Sequence, residues 1–477
     1  MRPSQLIYAL RTARPRQLRA RALRPVRRRR FGSGEAPQLS VPAAPTELWR
    51  SPAFEPTQLA GQGPERLRQF HGHYGEDVLA AARAGDLEVA RRTMEAWMGA
   101  NPPRPGDAWH PYTTSTRVGN WIAALGLEPS LESTRVRESL WRQLIHVEKN
   151  VEDDVLGNHV IRNARALILG GSAFGAQAFI ARGVELLERE LPEQVLADGG
   201  HYERSPVYHL IVLRDLLEIG AVIDHAEVAA AAERMRLFAA ALSRPDGAPA
   251  LFNDGTLDLA PVLRLPEPPE GLSVFPETGY AVLRRGGLWL AFDCGPASPP
   301  FLPAHAHADA LSFQLWLDGR PIVVDPGMPT YEAGRERNWF RGTTAHSTVA
   351  IDGGQFELWG AFRSGPLPQV ELLEASEREL AASVVGKGGV RHTRRIGLRA
   401  DALLVHDTLE GKGEHDVVSS LPFAPRVEAP AEPFGLSTAT TEARIIAERL
   451  YTRVRGSALV TRRRGQLPTE AGWSLEI

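Results

Sequence analysis

The chain has 477 residues, enough for two or three domains, and its 43% hydrophobic and 23% charged residues exclude a disordered or collagen-like molecule. A single cysteine, Cys294, excludes an internal disulfide framework. The net charge of -2 hides an asymmetry, because residues 1–34 hold eleven arginines and no acid, which leaves -13 on the remainder.

A basic arm on an acidic body points to an anionic partner: phospholipid, polysaccharide or nucleic acid. Only three of the 55 basic residues are lysine, so general arginine usage and a merely solvated flanking helix or frayed terminus account for the arm equally well. No segment reaches the ~18 uninterrupted apolar residues of a membrane span. The apolar run from Gln5 to Leu10 is too short for a secretory leader. The compartment therefore stays open between cytoplasm and cell envelope, and peripheral membrane contact through the arm is compatible with either.

Residues 31–64 are rich in Pro, Gly and Ala and read as an extended linker or surface strap. From about 65 the apolar spacing becomes helical, predicting helices over 76–84, 86–99, 115–125, 131–150, 158–170, 175–190, 205–219 and 225–242. In the fourth of these, Leu131, Val136, Leu140, Leu144 and Val147 share one face. After about 270 the period becomes two. Strands are expected at 279–283, 288–292, 311–317, 321–324, 346–351, 380–386, 391–398, 402–408 and 416–421. Asp318-Gly319 between two of them suits a type I′ hairpin turn. Helices first and strands second give an α+β chain. Its expected parts are an arm and linker over 1–64, a helical domain over 65–265 and an antiparallel β domain over 266–477.

Chemistry-bearing residues concentrate in a few places. In His305-Ala306-His307-Ala308-Asp309, alternate residues of an extended segment point to one side, so two imidazoles and a carboxylate can converge. The pair could share a metal, split into a ligand and a catalytic group, or be structural. Asp325 ends an apolar strand and His346 opens another; a His/Asp/His set suits zinc. A turn-capping aspartate and a surface histidine explain the same residues. Asn158 and His159 open a helix, where Asn158 serves either as N-cap or as a cleft donor, with Arg162 one turn on. The run 198–209 is a glycine-rich loop leading into a helix whose start carries Glu203, Arg204, Tyr208 and His209; Tyr208 reads as a reactive group or as a packing aromatic.

Six strings occur in one order: GNHVIRNARALILGG, DGGHYERSPVYH, FNDG, HAHADALSF, VVDPG followed by Tyr331, and GTTAHSTV. Together they resemble the heparinase II/III family of polysaccharide lyases, which is similar to some alginate lyases. The resemblance covers roughly 60–420. The opening RPRQL also looks like the start of bacterial members, which weakens a nucleic-acid role for the arm.

The resemblance implies an incomplete α/α toroid followed by an antiparallel β-sandwich. It also implies β-elimination at a uronic acid of an anionic polysaccharide. Asn158 and His159 would neutralise the substrate carboxylate, Tyr208 would be general base or acid, and His305 its partner. Arg162, Glu203, Arg204, His209 and Tyr331 are the accompanying candidates for substrate binding. His307, Asp325 and His346 match the positions of a structural zinc ion. A phenol with an ordinary pKa of about 10 needs nearby cations if it is to act as base. One departure stands out: many relatives carry Glu where this chain has Arg162. Turnover of the cell's own exopolysaccharide is the expected role. A non-catalytic glycan-binding or assembly factor, and a metal hydrolase using His305 and His307, are the competing readings.

Overall fold

A computed structural model describes residues 2–27, 31, 34–42, 48–50, 65–427, 431–435 and 439–477. The chain opens with two short helices, α1 (Pro3–Thr12) and α2 (Pro15–Arg27). Much of the expected 31–64 linker lies outside the described residues. Within it, Phe31 stacks on His146 and Ser40 donates its backbone N–H to the Ala173 carbonyl, so these parts lie against the helical domain.

The helical domain then runs through α3 (Arg66–His71), α4 (Glu76–Arg83), α5 (Leu87–Ala100), α6 (Pro111–Leu127), α7 (Thr134–Lys149), α8 (Asn158–Ala173), α9 (Gln177–Gln194), α10 (Pro206–Gly220) and α11 (Ala226–Ala241). The sequence pattern finds all of these except the six-residue α3, which is too short to show a period. Side-chain caps fix several starts: Asp86 accepts from the Val89 N–H, Ser133 from Val136 and Ser205 from Tyr208. Helices α6, α8 and α10 are buried on nearly every side. Helix α7 instead buries one stripe, including Val136, Leu140, Leu144 and Val147. Inner and outer helices of this kind form the curved wall of a toroid, and one continuous core joins them.

The second half is an antiparallel sandwich. One sheet has the order β1 (Gly271–Phe275), β2 (Tyr280–Arg285), β3 (Leu288–Asp293), β4 (Phe313–Leu317), β5 (Arg320–Val323), β13 (Glu414–Phe423), β16 (Val454–Gln466) and β15 (Thr440–Ile446). Strand β6 (Val349–Ile351) also pairs with β13. The other sheet has the order β14 (Ala431–Phe434), β17 (Thr469–Glu476), β12 (Ala402–Glu410), β11 (Arg391–Leu398), β10 (Glu379–Val385) and β9 (Gln369–Ala375). Strands β7 (Leu358–Trp359) and β8 (Arg363–Ser364) form a small hairpin, and α12 (Arg335–Phe340) lies between β5 and β6. Asp318 and Gly319 both have positive φ (48° and 72°), as their turn requires.

Alternate residues of facing strands fill the sandwich: Leu283, Leu290, Phe292, Phe313 and Leu315 meet Leu380, Ile396, Val405 and Trp473. The opposite face of the first sheet is also apolar. Tyr280, Val282, Trp289 and Trp316 pack on Phe238, Leu242 and Phe252 from the end of the helical domain. Two-sided burial of this sheet joins the two halves and fixes the groove between them.

A candidate active site between the two halves

A cleft of about 1240 Å³ runs along the junction. Helices α6, α8 and α10 line one side, loops of the β domain line the other, and α1 and α2 close part of the rim. Asn158, His159, Arg162, Tyr208, His305 and Tyr331 all line it.

Gly157 begins this arrangement. It has φ +64°, and a Cβ there would collide with the Glu203 carboxylate. That close approach lets Glu203 Oε1 accept from the Asn158 backbone N–H at 2.7 Å and from its Nδ2 at 3.0 Å. Asn158 is therefore held from beneath, and its buried Oδ1 has no partner among the described residues. Glu203, fully buried, sits under Asn158 as a bracket. Its other oxygen lies 3.2 Å from His305 Nε2. The histidines His305 and His201, together with Asn158, hold its pKa low against the effect of burial.

His159 follows on the same helix. Its Nδ1 is 3.0 Å from Glu152 Oε1, and its ring lies 4.4 Å from that of Tyr112. Burial works against the imidazolium, but Glu152 outweighs it and raises the pKa. Burial likewise opposes the Glu152 charge, yet His159 and His110 bring its pKa down to about 2. The pair orients the His159 ring toward the cleft and favours its charged form. Arg162, one turn on, donates to Asp215 at 2.7 Å. Asp215 and Glu218 also bind Arg165, and Arg214 reaches Glu218 at 3.3 Å. Three guanidinium groups, those of Arg162, Arg165 and Arg214, thus gather behind this wall around Asp215 and Glu218.

Tyr208 stands in the first turn of α10, placed by the Ser205 cap and Pro206. Its ring stacks on His305 with centroids 3.7 Å apart, and its hydroxyl donates to Tyr331 Oη at 3.3 Å. Burial and the neighbouring Tyr331 and Asp254 raise its pKa well above the ordinary value. The sequence reading asked for cations to lower this pKa if Tyr208 were a base; the cleft does the reverse and keeps it a proton-bearing phenol.

Asp254, in the FNDG string, is the hub of the β side. It accepts from His305 Nδ1 at 3.0 Å, from His307 Nε2 at 3.0 Å and from both terminal nitrogens of Arg337 at 2.9 and 2.7 Å. His305 faces the cleft from this mount. His307 points the other way, into a fully buried pocket with His346 and Asp309. One ligand atom from each of these three lies within 4.8 Å of the others. His307 Nδ1, His346 Nε2 and Asp309 Oδ1 are all buried without a hydrogen-bond partner among the described residues. Unpaired lone pairs converging in a dry pocket are costly unless a cation joins them. Asp325, the carboxylate expected among the ligands, adjoins this trio. Its Oδ2 takes the His346 Nδ1 proton at 2.7 Å and its Oδ1 accepts from the Gly327 N–H at 2.8 Å, so it stands behind His346 while Asp309 completes the trio.

Two expected substrate contacts are not on the cleft. The Arg204 guanidinium donates to the carbonyls of Thr278, Tyr202 and Glu277, tying the helical domain to the turn between β1 and β2. His209 is buried, its Nε2 paired with the Met235 carbonyl at 2.9 Å, and burial pushes its pKa down to about 3. As the next residue on the helix it points about 100° away from Tyr208. Sequence reasoning missed Glu152, Asp254 and Arg337. Asp254 carried a signal in its FNDG string; Glu152 sits in an unremarkable acidic run, and Arg337 is one of 52 arginines.

Comparison with known proteins follows the same outline. The model of the heparinase II/III N-terminus matches residues 92–279, and the heparinase II/III-like C-terminal model matches 267–476. The chain is 26% identical to a heparin-sulfate lyase of Bacteroides stercoris over 51% of its own length and 44% of the relative's. It is 26% identical to FtsZ-localized protein C of Caulobacter vibrioides over 73% of its length and 64% of the relative's. It thus spans about half the length of the heparin-sulfate lyases it matches. Crystal structures of heparinase III (TM-score 0.71, 15% identity, 97% of this chain and 90% of that one) and of a chondroitinase AC lyase (0.53, 9%, 91% and 80%) share its fold.

Proposed function

The chain belongs to the heparinase II/III family, and on that premise we propose that it is a polysaccharide lyase cleaving a uronate-containing anionic polymer by β-elimination. One observation carries the reading: Asn158, His159, Tyr208 and His305, from distant parts of the chain, line a single cleft at the junction of the two halves.

The reaction removes the C5 proton of a uronate, forms the C4–C5 double bond, and expels the O4 leaving group, which takes up a proton. The C5 hydrogen is a weak acid while the adjacent carboxylate is charged. His159, oriented by Glu152, supplies a donor that neutralises that carboxylate, and Asn158 adds its Nδ2 once that amide exchanges Glu203 for the substrate. Tyr208, whose pKa is raised, suits the role of general acid to O4. His305 is the base in the same pocket. Its Nε2 faces Glu203 in the free protein and must exchange that contact for the substrate hydrogen. Arg162 and its neighbours contribute positive potential behind the site and favour a polyanion. Tyr331 positions the Tyr208 hydroxyl.

We further propose a divalent metal of the zinc class at His307, Asp309 and His346, whose unpaired atoms fit it. Asp254 and Asp325 act as the carboxylates orienting the two rings. When bound, such an ion would cross-link the β-domain loops that carry these residues. Metal analysis of the purified protein, with Asp309→Asn and Asp325→Asn compared, reads the ligand set directly; retention of metal in His346→Ala contradicts the site.

The natural substrate proposed is an exopolysaccharide of the cell itself. A relative named for its localisation with another protein of the cell supports an endogenous target. Incubation with a panel of uronate polymers tests the activity, read as the ultraviolet absorbance of the unsaturated product. Polymer binding without product, unaltered by Tyr208→Phe, selects a non-catalytic glycan-binding factor instead.

A further inference from the structure

We infer that the outer face of α1 and α2 is a docking surface for an anionic phospholipid membrane, held at the rim of the cleft. The inner side of the arm is anchored. Tyr8 packs edge-on against Trp359, and Arg14 lies 3.8 Å over the Phe301 ring. Buried Gln17 donates to the Phe301 carbonyl at 3.4 Å. Arg16 pairs with Glu190 and Glu193 at 2.8 and 3.1 Å, and Arg24 with Asp154 at 3.4 Å. The arm bridges both halves of the molecule and is built into its surface.

The other side of the arm is apolar and open. Leu6, Ile7 and Leu10 are 48%, 52% and 50% exposed, and Leu23 and Val26 are 44% and 59% exposed. Among the described residues eleven large hydrophobic side chains are this exposed, and five of them fall on these two short helices. Single exposed leucines are ordinary, whereas such a concentration marks an interaction surface. Leu6, Ile7 and Leu10 share a helical face, as do Arg19, Leu23 and Val26.

Charge selects the partner. Residues 1–34 carry no acid, and Arg11 and Arg19 have no acidic partner among the described residues. Apolar side chains flanked by arginines match an interfacial helix: the side chains enter the headgroup–acyl boundary and the guanidinium groups meet lipid phosphates. A nucleic acid or soluble polyanion would satisfy the arginines but leave the five apolar side chains in water. Leu6 and Leu10 also line the cleft, so a docked bilayer would lie beside its mouth. The inference stands apart from the lyase reading, since binding is measured without turnover.

The test is co-sedimentation of the full chain with vesicles of phosphatidylcholine alone and of equal parts phosphatidylcholine and phosphatidylglycerol. The wild type should pellet with the anionic vesicles only. The Ile7→Asp, Leu23→Asp, Val26→Asp triple variant should partition about tenfold more weakly or worse, and Arg11→Glu, Arg19→Glu should lose binding similarly. Melting temperature and cleavage of soluble polymer should stay unchanged in the triple variant, since none of its residues belongs to the site. Failure of the wild type to bind anionic vesicles overturns the inference, as does equal binding to neutral ones. Binding that survives the triple variant yet vanishes with salt or competing RNA makes the arm a polyanion patch, and overturns it too.

Discussion

Two histidines separated by a single alanine, His305 and His307, share the Asp254 carboxylate and end in different worlds. His305 looks into an open cleft and stacks under a tyrosine. His307 looks into a closed pocket, where it meets His346 and Asp309. Strict alternation would put both rings on one side, but His305 closes the 3-10 turn Pro303–His305 and His307 follows it in extended backbone, so the two rings leave one mount in different directions. In the cleft nearly every polar group is held by a protein partner and offers one remaining atom to a guest. In the pocket three remaining atoms face each other. The same residue types thus serve a transient ligand on one side and a permanent one on the other, sorted by access to water.

The sharpest way to break this contrast is on the cleft side. Tyr208→Phe keeps the stacked ring and removes only the proton, so turnover should fall about 10²–10⁴-fold with the melting temperature unchanged. Steady-state rates and a melting curve check both halves of that statement. Next comes the shared mount. Asp254→Asn leaves Arg337 buried without its counter-charge and should cost about 3–5 kcal/mol in urea unfolding. A loss confined to activity would show that Asp254 serves only the cleft. A chelator should lower the melting temperature by several degrees, and His346→Ala should remove that dependence. If chelation instead stops turnover without touching stability, the pocket belongs to a hydrolytic centre.

The smallest effect concerns pH. His159 has a raised pKa, so its charge, and the stability it contributes, is fully present below the ordinary histidine value and lost as pH rises through the raised one. Activity should therefore fall as pH rises through that raised value. Glu152→Gln, which removes the charge that raises this pKa, should move that fall to lower pH. Glu152 has its pKa lowered to about 2, so its stabilisation is present above the ordinary value of 4.5 and lost as pH falls toward 2. Acid unfolding of Glu152→Gln should be correspondingly less steep in that window.

Much of this plan is legible in the chain. The long amphipathic α7 shows its buried stripe, and the hairpin at Asp318-Gly319 shows its turn chemistry. The strands after residue 421 do not stand out, because β14 is four residues long, β14 and β15 lie at sheet edges, and arginines interrupt the apolar run of β16. The arm helices are hidden for other reasons: α1 is only ten residues long, and the arginines of α2 mask its apolar stripe. At the site, Asn158, His159, Tyr208 and His305 stand out by spacing and resemblance. Their partners Glu152 and Arg337 do not, since long-range pairing across 83 residues, as between Arg337 and Asp254, leaves no local pattern. His209 misleads because it lies beside Tyr208 in sequence, while the helix turns it into the core.

The central claim is that the cleft ionises a carbon–hydrogen bond beside a sugar carboxylate. The most direct measurement is ultraviolet absorbance during incubation of metal-replete protein with uronate polymers, wild type beside Tyr208→Phe. The wild type should generate the conjugated unsaturated uronate continuously, and the variant almost none. A flat trace for the wild type on every polymer, or an equal rise from both proteins, would contradict it.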